Sequence, residues 1–227
     1  MSALTILALA AGTFVGSHIL LSHPLRAPLV GRLGERGFTI VYALIAFVTL
    51  GATAHVYGVA AREAPAPLWT AGEAGWLAAT LLMLLASIML VGSLRDNPAL
   101  PRPGRPISQI GEARDVFAIT RHPMMWAFAL WAVSHAIVNA TPASLILSAA
   151  IALLALGGAA LQDRKKERLI GEAWRDWENR TSFVPFARGM RGLGTVSLVG
   201  GSLLWLVATW AHGAMGYQLA GIFHFFG

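Results

Sequence analysis

Residues 76–94, WLAATLLMLLASIMLVGSL, hold no charged side chain. Coiled as an α-helix the stretch is about 28 Å long, close to the roughly 30 Å hydrocarbon core of a bilayer. Five comparable apolar runs share the chain: Ala3–Leu21, Phe38–Ala60, Val116–Asn139, Ala143–Leu161 and Leu193–Ala211. Composition agrees. The 227 residues are 56% hydrophobic and 12% charged, where a soluble domain carries about 25% charge. Mean hydropathy is +0.62. The expected architecture is all-α: a six-transmembrane-helix integral membrane bundle with short cytoplasmic amphipathic helices. It forms one transmembrane domain over residues 1–227.

Charge placement gives the topology. Of the 17 Lys and Arg residues, 16 fall in the loops after the first, third and fifth runs. Arg62 alone follows the second run, and none follows the fourth or sixth. Basic loops mark the cytoplasmic side. Both termini are therefore expected on the periplasmic side of a bacterial inner (cytoplasmic) membrane. The net charge of +6 is then a topology signal and an anionic-lipid contact, with no nucleic acid as partner. The lipid bilayer is the expected partner. The first run has no basic n-region and is read as a retained span, not a signal peptide. The chain has no cysteine, which excludes disulfides, thiolate metal sites and cysteine nucleophiles.

The loops carry further structure. In 23–37, Leu25, Leu29, Val30 and Leu33 alternate with Arg26, Arg32 and Arg36, the pattern of a helix lying on the membrane surface. The segment 95–115 is dense in Pro and Gly and cannot be one helix. Thr141–Pro142 makes a tight turn, with Pro142 suited to the first helical position. Pro123 is similarly placed at the head of the fourth run. In 163–180, Glu167, Ile170, Trp174 and Trp177 recur at helical spacing, predicting a charged helix with an aromatic face. The tail 213–227 is short for a span and is expected at the outer interface.

With cysteine gone, the seven histidines carry the chemistry: His18, His23, His55, His122, His135, His212 and His224. Ionisable groups within spans default to a functional reading. Imidazole ligates haem iron and many transition metals. By depth, His18 and His122 lie towards the inner level, and His55, His135 and His212 towards the outer. Depth therefore pairs His18 with His122, and His135 with His55 or His212. Arg121 and His122 crown the start of the fourth helix beside free amide donors, an arrangement suited to an anion or a cofactor headgroup. The absence of deep charges and paired broken helices disfavours a transporter.

Two resemblances add to this. RHP at 121–123, followed by a hairpin and DRKKERLIGEAWRDWENRTSFVP at 163–185, resembles the isoprenylcysteine carboxyl methyltransferase-like membrane enzymes. That likeness implies S-adenosylmethionine, or NADPH in the sterol reductase branch, held near Arg121, His122, Glu167 and Trp174. The paired glutamates typical of those methyltransferases are Lys166–Glu167 here. A closer resemblance covers nearly the whole chain. GSHILLSHPLRAPLVGRLGERGFTIVYALIA (16–46), TRHPMMWAFALWAVSHAIVN (120–139) and WRDWENRTSFVPF (174–186) resemble the NnrU family.

Bacterial members of that family are named for a link to denitrification, through the nitrite and nitric oxide reductases. Plant relatives are 15-cis-zeta-carotene isomerases that use haem b. The resemblance implies haem b held by His18 and His135, with His122, His55 and His212 as alternate ligands and Arg121 beside the cofactor. The isomerases carry a cysteine where this chain has Ala132. The implied roles are redox or isomerisation chemistry on an apolar small-molecule substrate, or service to respiratory nitrogen-oxide reductases as partners. A methyltransferase-like enzyme and a non-catalytic accessory protein with structural histidines are the alternatives.

Overall fold

The computed structural model describes residues 1–63, 66–99, 110–189 and 192–226. Among these residues the fold is all-helical: α1 (Ala3–Ser22), α2 (Arg26–Glu63), α3 (Glu73–Ser93), α4 (Pro123–Val138), α5 (Pro142–Ile170), α6 (Glu172–Arg180) and α7 (Thr195–Ala214). Short 3-10 turns cover Asp115–Ala118 and Gly221–Phe225. Helix packing forms a chain of neighbours. α2 and α5 both lie on α1, α4 lies on α5, α3 on α4, and α7 on α3.

Five helices, α1, α2, α3, α5 and α7, are long and apolar enough to cross a membrane. The fourth run differs from its reading as a full span over 116–139. Its helix is the shorter Pro123–Val138. Asp115 has φ of 56° and Val116–Ala118 belong to a 3-10 turn, so the backbone leaves the helical path before Pro123 restarts it. Pro142 does open α5, with the Thr141 hydroxyl accepting from the Ser144 amide.

The surface-helix segment also has a specific break. α2 bends at Gly34, whose φ of 71° and ψ of 168° are not helical. The amphipathic turns 26–33 thus end at a glycine, and the apolar part of α2 begins beyond it. Similarly, 163–180 is not one helix. α5 runs on to Ile170, and Gly171, with φ of 54°, separates it from α6. The breaker-rich 95–115 loop is described only at its two ends, because 100–109 lie outside the described residues.

Large apolar side chains on the outer faces stay uncovered by protein, as Ile40, Phe47 and Val48 on α2 and Leu203, Val207 and Trp210 on α7 show. A bilayer would cover them. α3 and α7 meet through small residues: a Cβ on Gly201 would come 2.4 Å from the Ile88 Cα. Asp115 fastens the head of α7, accepting from the Gly194 amide at 2.9 Å and from the Ser197 hydroxyl. That supplies the capping acceptor Gly194 lacks.

Candidate functional site

Three clusters contain most of the residues that the sequence singles out. The first lies where α4 begins. Thr120 donates its hydroxyl to the Phe183 carbonyl at 2.7 Å, and the Arg121 amide donates to the Ser182 carbonyl at 2.8 Å. The 182–186 segment is thereby stitched to the turn before α4. Arg121 and His122 both turn to Asp163 on α5. Arg121 Nε donates to Oδ2 at 2.9 Å, and His122 Nε2 donates to Oδ1 at 2.8 Å. Trp174 Nε1 adds a bond to Oδ1 at 3.3 Å from α6. Glu178 stands 3.5 Å from Arg121. Burial, a hydrogen bond with Glu167 and the Asp163 charge push the Glu178 carboxyl up to about 7, against the pull of Arg121.

Arg121 and His122 are thus already neutralised within the protein. The sequence reading set Glu167 beside them; the acceptor that holds both is Asp163, one turn earlier. The six-residue charged stretch that starts at 163 hides it, because nothing in the pattern distinguishes a buried carboxylate from its exposed neighbours.

The second cluster surrounds His18. Its Nδ1 bonds the Phe14 carbonyl at 2.8 Å, which leaves Nε2 free to ligate. Phe14 and Tyr42 lie edge-on to the imidazole, at 4.5 and 5.5 Å between ring centroids. His18 lines a cavity of about 410 Å³, with Met125, Phe128, Ile151 and Leu154 among its apolar walls. Ser22, His23 and Lys165 are shared with a neighbouring cavity of about 400 Å³ that Arg26, Arg164 and Arg168 also line. Arg26 pairs with Glu35 at 2.8 Å. Burial, then the charges of Lys165 and Arg168, hold the His23 imidazole below its ordinary range. The chamber is therefore apolar inside and cationic at one mouth.

The third cluster brings together His135 on α4 and His212 on α7, with ring centroids 6.4 Å apart. Each is held as His18 is. His135 Nδ1 bonds the Trp131 carbonyl at 2.8 Å, and His212 Nδ1 bonds the Ala208 carbonyl at 2.7 Å. Trp131 stacks on His135 at 4.0 Å. Both histidines line a cavity of only about 60 Å³, together with Thr80, Trp205 and Thr209. Thr80 Oγ1 and Trp205 Nε1 are buried without a hydrogen-bond partner.

His18 and His135 therefore line different cavities. Met125 shares the His18 chamber, and His135 lies ten residues further along α4, about 15 Å of helical rise. His122 is not beside His18's chamber wall but locked on Asp163. His55 lies exposed on α2. His224 stacks on Trp76 at 3.9 Å and reaches Glu73 at 3.9 Å, folding the tail back onto α3. Among the described residues no three His, Asp or Glu side chains cluster as a metal site. Sequence reasoning missed Tyr42, Lys165, Thr80 and Trp205, whose roles come only from which helices touch.

The chain is 29% identical over 171 residues to the chloroplastic 15-cis-zeta-carotene isomerase of Arabidopsis thaliana. That alignment covers 70% of this chain and 44% of the plant protein, so the chain spans less than half of its relative's length. No solved structure matches. The family model described as NnrU protein matches residues 6–219, and the chain belongs to the NnrU family.

Proposed function

We propose that this protein binds haem b through histidine and works on an apolar substrate inside the membrane, by redox or isomerisation chemistry. The observation that carries the reading is the His18 chamber. It combines a histidine with a free Nε2, apolar walls, a volume of about 410 Å³ and a cationic mouth. Those features fit haem b. His18 would hold the iron, the apolar walls the macrocycle, and Lys165 with its basic neighbours the propionates. One proximal histidine suffices for many haem proteins. When bound, the group supplies Lewis-acid or one-electron chemistry. The chain's own part is to fix the imidazole through the Phe14 carbonyl and to exclude water with Phe14, Met125 and Leu154.

His135, the second ligand implied by resemblance, lines a cavity of about 60 Å³, too small for a macrocycle. The resemblance to the plant isomerase supports chemistry on an elongated apolar molecule. Family membership supports a link to denitrification, with respiratory nitrogen-oxide reductases as partners. The one-sided distribution of Lys and Arg supports a bacterial inner membrane with six spans, α4 included, and both termini periplasmic. The S-adenosylmethionine or NADPH alternative has less support, because Arg121 and His122 would first have to leave Asp163.

The test is a reduced-minus-oxidised spectrum of the detergent-purified protein with pyridine haemochrome quantitation. The wild type is expected to carry b-type haem, lost in His18→Ala and retained in His122→Ala. Haem-free protein after expression with haem supply and after reconstitution overturns the reading, as does full retention in His18→Ala.

A further inference from the structure

Beside the His18 chamber lies a second cavity of about 400 Å³, at the basic end of the bundle between the start of α2 and the last turns of α5. Its volume falls within the range of small-molecule sites, about 300–1,000 Å³. The two cavities share Ser22, His23 and Lys165. Arg26, Arg164 and Arg168 line only the second.

The charge of this cavity is one-sided. No Asp or Glu lines it. Glu35 compensates Arg26 through both carboxylate oxygens, at 3.1 and 2.8 Å. Arg164, Lys165 and Arg168 have no acidic partner among the described residues. Three like charges within two turns of one helix repel one another, and no protein group offsets them. His23 registers the excess: after burial, the Lys165 and Arg168 charges hold its imidazole below the ordinary range. The Ala27 amide, in the first turn of α2, lines the same cavity and has no backbone acceptor among the described residues. It adds a neutral donor to the cations. A group with a permanent negative charge and several acceptor oxygens answers all of these donors at once.

The level of the cavity narrows the source of that group. α1 ends at Ser22, and the charged part of α5 begins at Asp163. The cavity thus lies where the apolar lengths of both helices give way to charge, which is headgroup depth in a bilayer. Leu161 and Leu169 line it together with the cations, and Leu25 and Leu169 are exposed at its edge. A soluble anion would use the cations alone. A molecule with an acyl chain attached uses the apolar edge as well, and basic pockets between helices on the cytoplasmic side take anionic lipid headgroups.

We propose that this cavity binds the phosphate of an anionic phospholipid. Arg164 and Arg168 are its principal donors, Lys165 is shared with the neighbouring chamber, and the acyl chains leave past Leu161 and Leu169. A phosphodiester is ionised throughout the neutral range, so no proton moves on binding. The site needs no ligand at His18, and its two arginines do not line that chamber.

Full-length protein in detergent is titrated with phosphatidylglycerol and with phosphatidylcholine of the same acyl chains, and bound lipid is counted by native mass spectrometry. One phosphatidylglycerol per chain is expected, bound about tenfold or more tighter than phosphatidylcholine. Arg164→Gln/Arg168→Gln should lose that preference. Arg32→Gln/Arg36→Gln removes two exposed charges from outside the cavity and should keep it. Equal binding of the two lipids by the wild type overturns the proposal whatever the variants do. An equal loss in both double variants overturns it too, because the attraction is then diffuse. Inorganic phosphate that competes at the same concentration as phosphatidylglycerol would assign the cavity to a soluble anion, against the proposal. Haem is measured on the same samples. Haem lost from Arg164→Gln/Arg168→Gln with the lipid preference intact would give these arginines to the propionates and overturn the lipid site alone. His18→Ala is expected to keep the lipid preference, so the haem reading can fail without this one.

Discussion

His122 donates its Nε2 proton to Oδ1 of Asp163 across 2.8 Å, joining the head of α4 to the far end of α5. Arg121 takes the other oxygen of the same carboxylate, and Trp174 brings in α6. One acidic side chain therefore fixes three helices at the basic end of the bundle. His122 is 3% exposed and Asp163 is 7% exposed, so water cannot replace either partner. Replacing Asp163 by Ala strands an arginine and a histidine, and breaking such a pair from one side costs about 3 kcal/mol or more. Thermal unfolding in detergent should show Asp163→Ala far less stable than wild type. Arg175→Ala, at an exposed position on α6, should change little.

The same cluster makes stability depend on pH. The folded protein holds the Glu178 proton up to about 7, above the ordinary glutamate range near 4.3. Between those values the folded state binds more protons than the unfolded state. Stability therefore falls as pH rises from about 4.5 to about 7, and the loss is complete above that window. Glu178→Gln removes the titration. Melting temperatures at pH 5 and pH 8 should differ less in the variant, with its advantage over wild type appearing at the higher pH. An equal pH response in both proteins would contradict the raised Glu178.

The chain's lack of cysteine makes the proposed topology directly testable. Thr70, between α2 and α3, and Arg175, on α6, are both exposed, so cysteine at either site should be tolerated. In intact cells from which the outer membrane has been made permeable, a membrane-impermeant maleimide should label Thr70→Cys. Arg175→Cys should react only after the inner membrane is opened. Labelling of both, or the reverse order, would refute the placement of the basic loops inside.

The apolar runs were readable because a helix in lipid must be apolar along its whole length, so α1, α2, α3, α5 and α7 stand out without tertiary information. Pro142 with Thr141, and Pro123, placed two helix starts for the same local reason: a proline lacks only an amide that the first turn does not use. The breaks were less legible. Gly34 and Gly171 adopt positive φ, yet glycine is common throughout this chain, with 24 copies. Nothing local distinguishes a bend from a packing site such as Gly201. The site divides similarly. Histidine depth paired His135 with His55 or His212 and His18 with His122; His212 is the ring beside His135, while His55 lies exposed and His122 is bonded to Asp163 instead of facing His18. Which acid receives Arg121 and His122 depended on the rotation of α5 against α4, and that phase is not written in a charged stretch.

Glycine spacing supplies a final test of how α3 and α7 hold together. A methyl group on Gly201 would meet backbone atoms of Ile88, at 2.4 Å from Cα and 2.7 Å from N. Neither atom can swing aside as a side chain does. Gly201→Ala should force the two helices apart and cost about 1–3 kcal/mol, the usual range for overpacking. Gly157 on α5 is the internal control, with nothing within 4 Å of its would-be Cβ. Gly157→Ala should be neutral or stabilising by up to about 1 kcal/mol, because alanine restricts the helix backbone more than glycine does. Because α7 carries His212 and α4 contacts α3, the separation caused by Gly201→Ala should also widen the gap between His135 and His212. Comparable melting temperatures for the two variants would show that α3 and α7 are not in the close contact described.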